Sequence, residues 1–220
     1  MDVRKELEAK GCIYSGHFVG ISGNHLSGYC NIDPILPHVA IVSQMTALLV
    51  EPFADQDVNT VIAPAIGAIP LSQWGPYHLE KLTDQTVLGV WADKVKPRGF
   101  AIERNGFAEA LKGKRVLILE DMVNQMFSVR EMVRLVKEAG GTPVGVGAIA
   151  ANKGVSAEAI GVPKLVQLCS VEYDAWSPED CQMEGLCSRN VPIVEDIGHG
   201  DEFKAQHPDY PGGYTKLLTP

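Results

Sequence analysis

Four apolar residues, Val116 to Leu119, stand between the basic pair Lys114-Arg115 and two adjacent carboxylates, Glu120 and Asp121. The run is too short for a helix and rich enough in Val, Ile and Leu for a buried parallel strand. A short polar loop follows, and Val129, Met132, Val133 and Val136 then recur at helical spacing ahead of Gly140 and Gly141. Lys114 to Gly141 therefore reads as strand, acidic pair, loop and helix, with Ser128 as the expected N-cap and Gly140 as the stop. In open α/β sheets ligands bind at the carboxyl ends of strands, and the following helix offers unpaired N–H groups to an anion. Such a site can hold hydroxyls and a phosphate together. Taken alone, the two acids can equally well end a strand and cap a helix.

The 220 residues suffice for one domain with a small accessory piece. No apolar run is long enough to span a bilayer, and the amino-terminal MDVRKELEAK carries charges of both signs with no apolar segment behind it. No membrane association and a cytoplasmic location are expected. A formal net charge of −8 argues against a broad nucleic-acid surface, while leaving room for a local basic pocket and a small anionic substrate. Five cysteines, an odd number, do not suit a disulfide framework, so reduced thiols are expected.

Asp2 to Lys10 has the composition of a short helix closed by Gly11. Residues 12–38 alternate glycine, serine and aromatic residues with apolar ones, as short strands and turns do, and His17 and His25 read there as ordinary histidines. A helix is expected over 38–53 and a buried strand over 59–65, followed by the small-residue turn of Ala63 to Leu71. A third strand is expected over 86–91, ahead of the most basic stretch of the chain, with Lys94, Lys96, Arg98 and Arg104. Further strands are expected over 143–150 and 165–171. The glycines of GVGAIA lie within a strand and not in a turn opening a helix, so they are no dinucleotide fingerprint. Cys181 and Cys187, with His199 and His207 nearby, fit no standard zinc spacing, and a loop with free thiols is the better reading.

Leu119-Glu120-Asp121-Met122-Val123 resembles the PRPP-binding motif of type I phosphoribosyltransferases, in which hydrophobic residues precede Glu-Asp or Asp-Asp and a loop often written T-T-G-x-[ST]. Asn124, Gln125, Met126 and Phe127 stand where the family usually has Thr, Thr, Gly and a small residue, and Ser128 keeps the pattern. Met or Phe in such a loop is expected only where φ is negative. Phe18, Ser22-Gly23, Ser27 and Tyr29-Cys30-Asn31 resemble the amino-terminal substrate-covering region of orotate phosphoribosyltransferases, with Ile21 where many members have a basic residue. The turn around Gly67 and Ala68 resembles the family's pyrophosphate loop. The basic stretch sits where the family has a mobile loop, and Arg104-Asn105-Gly106-Phe107 resembles an Arg-x-Gly-Phe of one branch. Asn152-Lys153 stands where an Asp-Arg often occurs, and the segment from Ser177 to Gly200, with Ser177-Pro178-Glu179, Cys181, Cys187 and Val191-Pro192, resembles the carboxyl end of longer bacterial and archaeal orotate-type members.

This resemblance implies an α/β fold, a parallel twisted sheet flanked by helices, with a small hood built from both chain ends: 1–37 as hood, 38–171 as core and 172–220 as tail of a single domain. It implies transfer of the 5-phosphoribosyl group of PRPP to a nucleobase, orotate first, with Mg2+ bridging pyrophosphate and ribose hydroxyls and touched only indirectly by Asp121. By position, Glu120 and Asp121 would hold the ribose hydroxyls, Asn124, Gln125 and Ser128 the 5′-phosphate, and Gly67 with Ala68 the pyrophosphate. Lys94, Lys96 and Arg98 would neutralise the leaving group and Arg104 would add to PRPP binding, while Ser22, Gly23 and Lys153 would face the base. Lys94, Lys96 and Asp121 are the catalytic candidates. A homodimer is implied. A catalytically inactive regulator on the same fold, or transfer to another base, stay open at this point.

Overall fold

A strand covered on both faces needs apolar or internally satisfied residues at every position, and Thr60 to Pro64, all buried, meet that requirement, the Thr60 hydroxyl donating to the Ala110 carbonyl. In the computed structural model, which describes residues 1–20, 22–96 and 99–217, the elements run α1 (Val3–Ala9), β1 (Ile13–Val19), β2 (His25–Cys30), α2 (Val39–Val50), β3 (Thr60–Pro64), α3 (Ile69–Thr83), β4 (Leu88–Lys94), β5 (Phe100–Ala101) and β6 (Arg115–Val123). There follow α4 (Phe127–Glu138), β7 (Thr142–Asn152), α5 (Ala157–Ile160), β8 (Leu165–Val171), β9 (Ala175–Trp176), α6 (Pro178–Met183), β10 (Ile193–Val194), α7 (Gly200–Gln206) and β11 (Tyr214–Thr215). The chain divides into two compact units, one of residues 1–12 and 32–171, the other of residues 13–31 and 172–220. The sequence places its divisions after 37 and 171. Helix α1, grouped with the hood in the sequence reading, belongs to the larger unit, where Arg4 donates to the Ser170 carbonyl.

The larger unit is built on a six-stranded sheet of order β5-β4-β3-β6-β7-β8, parallel except for the short antiparallel β5. Helix α4 buries Val129, Met132, Val133, Leu135 and Val136 against it, each fully buried aliphatic side chain contributing about 1.5–3 kcal/mol relative to exposure. On β7, Gly145 leaves the space into which Phe53 packs: a Cβ there would meet Phe53 Cε1 at 2.5 Å. The in-strand glycines therefore serve packing, as their placement away from any turn implies.

Strand β4 (Leu88–Lys94) lies two to three residues beyond the expected 86–91, and two boundaries nearer the acidic pair also differ from expectation. Strand β6 does not stop at Leu119 but runs through both carboxylates to Val123, because β7 continues alongside and pairs Met122 with Ala150 and Val123 with Ala151. Helix α4 starts at Phe127, its N-cap is Met126 and not Ser128, and no side chain caps it.

The smaller unit is a five-stranded sheet of order β11-β10-β1-β2-β9. Its β1–β2 hairpin turns through Gly20 to Asn24, closed by a Gly20 N–H bond to the Asn24 carbonyl of 2.9 Å. Phe18, Leu26, Val194 and Ile197 form its buried centre. Near the carboxyl terminus, Tyr210 donates to the Val191 carbonyl at 3.0 Å, and Tyr214 lies on an edge strand.

Candidate active site

Strands β3 and β6 are neighbours, yet β3 leads through α3 outward to β4, and β6 leads through α4 in the opposite direction to β7. The chain thus reverses its winding between them, and at that switch point the loops after two adjacent strands diverge and leave a crevice. The turn carrying Gly67 and Ala68 follows β3, and the acidic pair lies near the carboxyl end of β6. The two loops meet: a Cβ at Gly67 would stand 2.1 Å from Asp121 Oδ2, so only glycine admits this approach.

Glu120 is buried, with 4% of its surface exposed. Burial pushes its carboxyl well above the usual carboxylate range, the neighbouring Asp121 charge adds to that push, and the positive charge of Lys94 opposes it. Asp121 is partly exposed, and its Oδ1 accepts the Met122 N–H at 2.8 Å. The Asp121 N–H in turn faces Glu120 Oε1 at 3.2 Å. One carboxyl is thus held in a dry environment and the other presented at the crevice.

Helix α3 begins after Ala68 with Pro70 in its first turn, and no side chain caps it. Helix α4 likewise begins without a side-chain cap. Two helix N-termini at adjacent strand ends offer backbone N–H groups and positive partial charge to anionic groups. Met126, which stands where the family usually has glycine, adopts φ 60° and ψ 3°. The expectation that Met occurs in this loop only at negative φ is therefore incorrect. The left-handed turn is kept with a side chain in place, at a cost of about 1–2 kcal/mol, and Met126 packs against the core beneath α4.

Asn124 is tied to the end of β7, its Oδ1 accepting from Asn152 Nδ2 at 3.4 Å. Gln125 is exposed and Ser128 lies in the first turn of α4. Lys153 follows β7 directly, exposed, with its N–H on the Val171 carbonyl at 2.8 Å. The basic stretch is in part a hairpin, since Lys94 and Phe100 pair across β4 and β5; Lys94 and Lys96 are exposed, and Arg98 lies outside the described residues. Arg104 makes a two-pronged ion pair with Asp93, at 3.0 and 3.2 Å, and lies over the Trp91 ring. These contacts hold its side chain beside β4. Ser22 and Gly23 occupy the β1–β2 turn of the smaller unit, where Ser22 Oγ accepts the Asn24 N–H at 3.4 Å and Gly23 has φ 83°.

His199 and His207 are not the partners of Cys181 and Cys187: His199 pairs with Glu202 at 2.8 Å and His207 stacks on Phe203. The residues beside the two cysteines are His17 and His25, read from the sequence as ordinary histidines.

No family model matches the chain. Among curated proteins it is similar to orotate phosphoribosyltransferases. It is 32% identical to that of Caldicellulosiruptor bescii over 186 residues, covering 83% of this chain and 89% of the relative. It is 34% identical to that of Thermus thermophilus over 195 residues, covering 89% and 100%. Among solved structures it resembles the orotate phosphoribosyltransferase of Aeropyrum pernix, with a TM-score of 0.55 at 19% identity over 76% of this chain and 93% of the other. It also resembles that of Mycobacterium tuberculosis, with a TM-score of 0.56 at 21% identity over 77% and 95%. At those identities the structural likenesses speak to the fold alone.

Proposed function

The chain belongs to the orotate phosphoribosyltransferase family, and from that premise we propose that it transfers the 5-phosphoribosyl group of PRPP to orotate, releasing pyrophosphate and forming orotidine monophosphate in pyrimidine biosynthesis. The observation that carries this reading is the close approach of Gly67 to Asp121 at the switch point, where a small-residue loop, two helix N-termini and a carboxylate converge.

Displacement at the ribose C1 builds positive charge on the sugar and negative charge on the leaving pyrophosphate, so positioning and electrostatic stabilisation supply most of the rate. Glu120 and Asp121 receive the ribose hydroxyls, Asp121 as the exposed acceptor and Glu120 from its buried position. The first turn of α4, with Asn124, Gln125 and Ser128, takes the 5′-phosphate. The backbone at Gly67 and Ala68 faces the pyrophosphate, and Lys94 and Lys96 offset its growing charge. In the larger unit Lys153 is the group assigned to the base, as a point charge toward the orotate carboxylate.

The donor set suits Mg2+: the Asp121 carboxylate at the crevice, together with the ribose hydroxyls and the pyrophosphate that would carry the ion in, is all oxygen. Mg2+ would supply neutralising charge to the departing pyrophosphate, with Asp121 acting on it indirectly. We further propose a homodimer and a cytoplasmic location; no helix among the described residues is long and apolar enough to cross a membrane. The left-handed φ of Met126 keeps the turn at the position where the family usually has glycine, which favours the transferase over an inactive regulator on the same fold.

The test is pyrophosphate release from PRPP with Mg2+ and orotate, run against a panel of other bases, alongside calorimetric titration with PRPP and with orotidine monophosphate. Asp121→Asn is expected to lower kcat/KM by about 100-fold, the order seen when a donor or acceptor matched to the transition state is lost. Turnover with a purine alone would reassign the base, and no binding of either ligand would overturn the transferase reading.

A further inference from the structure

His17, His25, Cys181 and Cys187 come from four places in the smaller unit: β1, the start of β2, α6 and the 3-10 turn Cys187–Arg189. All four are buried, and their ligand-type atoms lie within 4.8 Å of one another. His17 Nε2 stands 2.6 Å from His25 Nδ1 and 3.8 Å from each of the two sulfurs. Cys187 Sγ stands 3.5 Å from His25 Nδ1. A single imidazole lone pair approached by three groups is not a set of pairwise hydrogen bonds. It is convergence on one point.

We infer that these four side chains form a closed, four-ligand zinc site that staples the hairpin of residues 13–31 to the carboxyl-terminal segment of the smaller unit. Two thiolates and two imidazoles in tetrahedral array suit Zn2+, and ligand distances of about 2.3 Å to sulfur and 2.0–2.1 Å to nitrogen space the ligand atoms about 3.3 to 3.8 Å apart. The three nitrogen–sulfur separations already fall at that spacing. The two imidazole nitrogens need to part, from 2.6 Å to about 3.3 Å, and no other pair has to close from beyond 4.8 Å.

The surrounding groups fit the same role. His17 Nδ1 lies 2.9 Å from the Val191 carbonyl, to which it can only donate, so its Nε2 presents a lone pair to the cluster. The Cys187 N–H donates to Cys181 Sγ at 3.2 Å, which stabilises a thiolate there. The His25 Nδ1–H that faces Nε2 of His17 shifts to the other nitrogen of its ring when the ion enters, and each thiol gives up its proton, so two protons leave per Zn2+ bound. With all four positions taken by protein, the site is structural.

The experiment uses the full chain, purified under reducing conditions without chelator. Metal analysis is expected to find about one zinc per chain. Cobalt replacement is expected to give the visible bands of a tetrahedral ion with a thiolate charge-transfer band, a readout that needs no variant and survives any folding defect. Cys181→Ser with Cys187→Ser loses the metal, whereas Cys169→Ser, at a buried cysteine outside the cluster, keeps it. Failure to take up zinc or cobalt, a six-coordinate cobalt spectrum, a Cys181–Cys187 disulfide in the isolated protein, or full metal content in the double variant would each overturn the inference.

Discussion

Replacing Gly67 by alanine tests whether the loop after β3 and the acidic pair of β6 make one site. The new Cβ would lie 2.1 Å from Asp121 Oδ2 and 3.1 Å from its Cγ. Non-bonded carbon and oxygen need about 3.3 Å, so one partner must retreat by about 1.2 Å. The loop is pinned on both sides, by the Ala65 N–H on the Ala92 carbonyl at 2.8 Å and the Ile69 N–H on the Ile66 carbonyl at 3.1 Å. The Asp121 carboxylate accepts the Met122 N–H and is hydrogen-bonded to the Glu120 carboxyl; a side chain turns more easily than the doubly pinned backbone of the loop, so the carboxylate is the part that moves. Losing a hydrogen bond to a partly exposed charged group costs about 1.5 kcal/mol, which for a chain of this length lowers Tm by about 3 to 6 °C. A 1 Å misplacement of a positioning group costs about 100-fold in rate. Steady-state kinetics of pyrophosphate release, with a thermal melt run in parallel, reads both quantities. A variant that keeps kcat/KM within about threefold of the parent would refute the reasoning, since the displaced carboxylate would then not be the one that positions substrate.

Met126 and Glu120 yield two further tests. Met126→Gly relieves the left-handed strain and is expected to keep PRPP affinity within about threefold, whereas Met126→Val, β-branched at φ 60°, is expected to lower Tm by about 4 °C and weaken PRPP binding in calorimetry. Above its ordinary value near 4.5 the unfolded chain has released the Glu120 proton, while the folded chain retains it until pH passes the raised native value. The native state binds more protons across that window, so the Glu120 contribution to stability falls as pH rises through it, and Glu120→Gln is expected to flatten the decline in Tm as pH rises above 4.5. An unchanged slope would mean that Glu120 titrates normally.

The α/β core is legible in the sequence because its signals are local: four apolar residues before two acids, a helical stripe at Val129, Met132, Val133 and Val136, and glycines kept within β7. Residues 165–171 read as a strand from end to end, and β8 has those bounds. Where neighbours decide, the reading shifts. Pairing with β7 carries β6 past its carboxylates, and the start of α4 is set by a left-handed Met126 that no propensity would select. The His17–Cys181 contact spans 164 residues, so neither residue carries a local sign of the other. Its only trace in the sequence is the pair of histidines flanking a glycine turn, and that pattern is common in hairpins without metal. Arg104 reads as a phosphate ligand from its motif, yet Asp93 and Trp91, eleven and thirteen positions earlier, hold its side chain.

The smaller unit is assembled from residues 13–31 and 172–220, and β1 finds its parallel partner β10 only across that gap. On the ribosome, at roughly 5–20 residues per second, the hairpin waits on the order of 10 s before the strand that flanks it is made. During that interval the β1 edge that β10 will cover has exposed N–H and C=O groups, the state most open to pairing with another nascent chain. A chain cut short before residue 193 would be left with that edge permanently. The carboxyl terminus is thus a quality checkpoint as well as a tail, and truncated products of this protein are expected to aggregate or be degraded while their larger unit still folds.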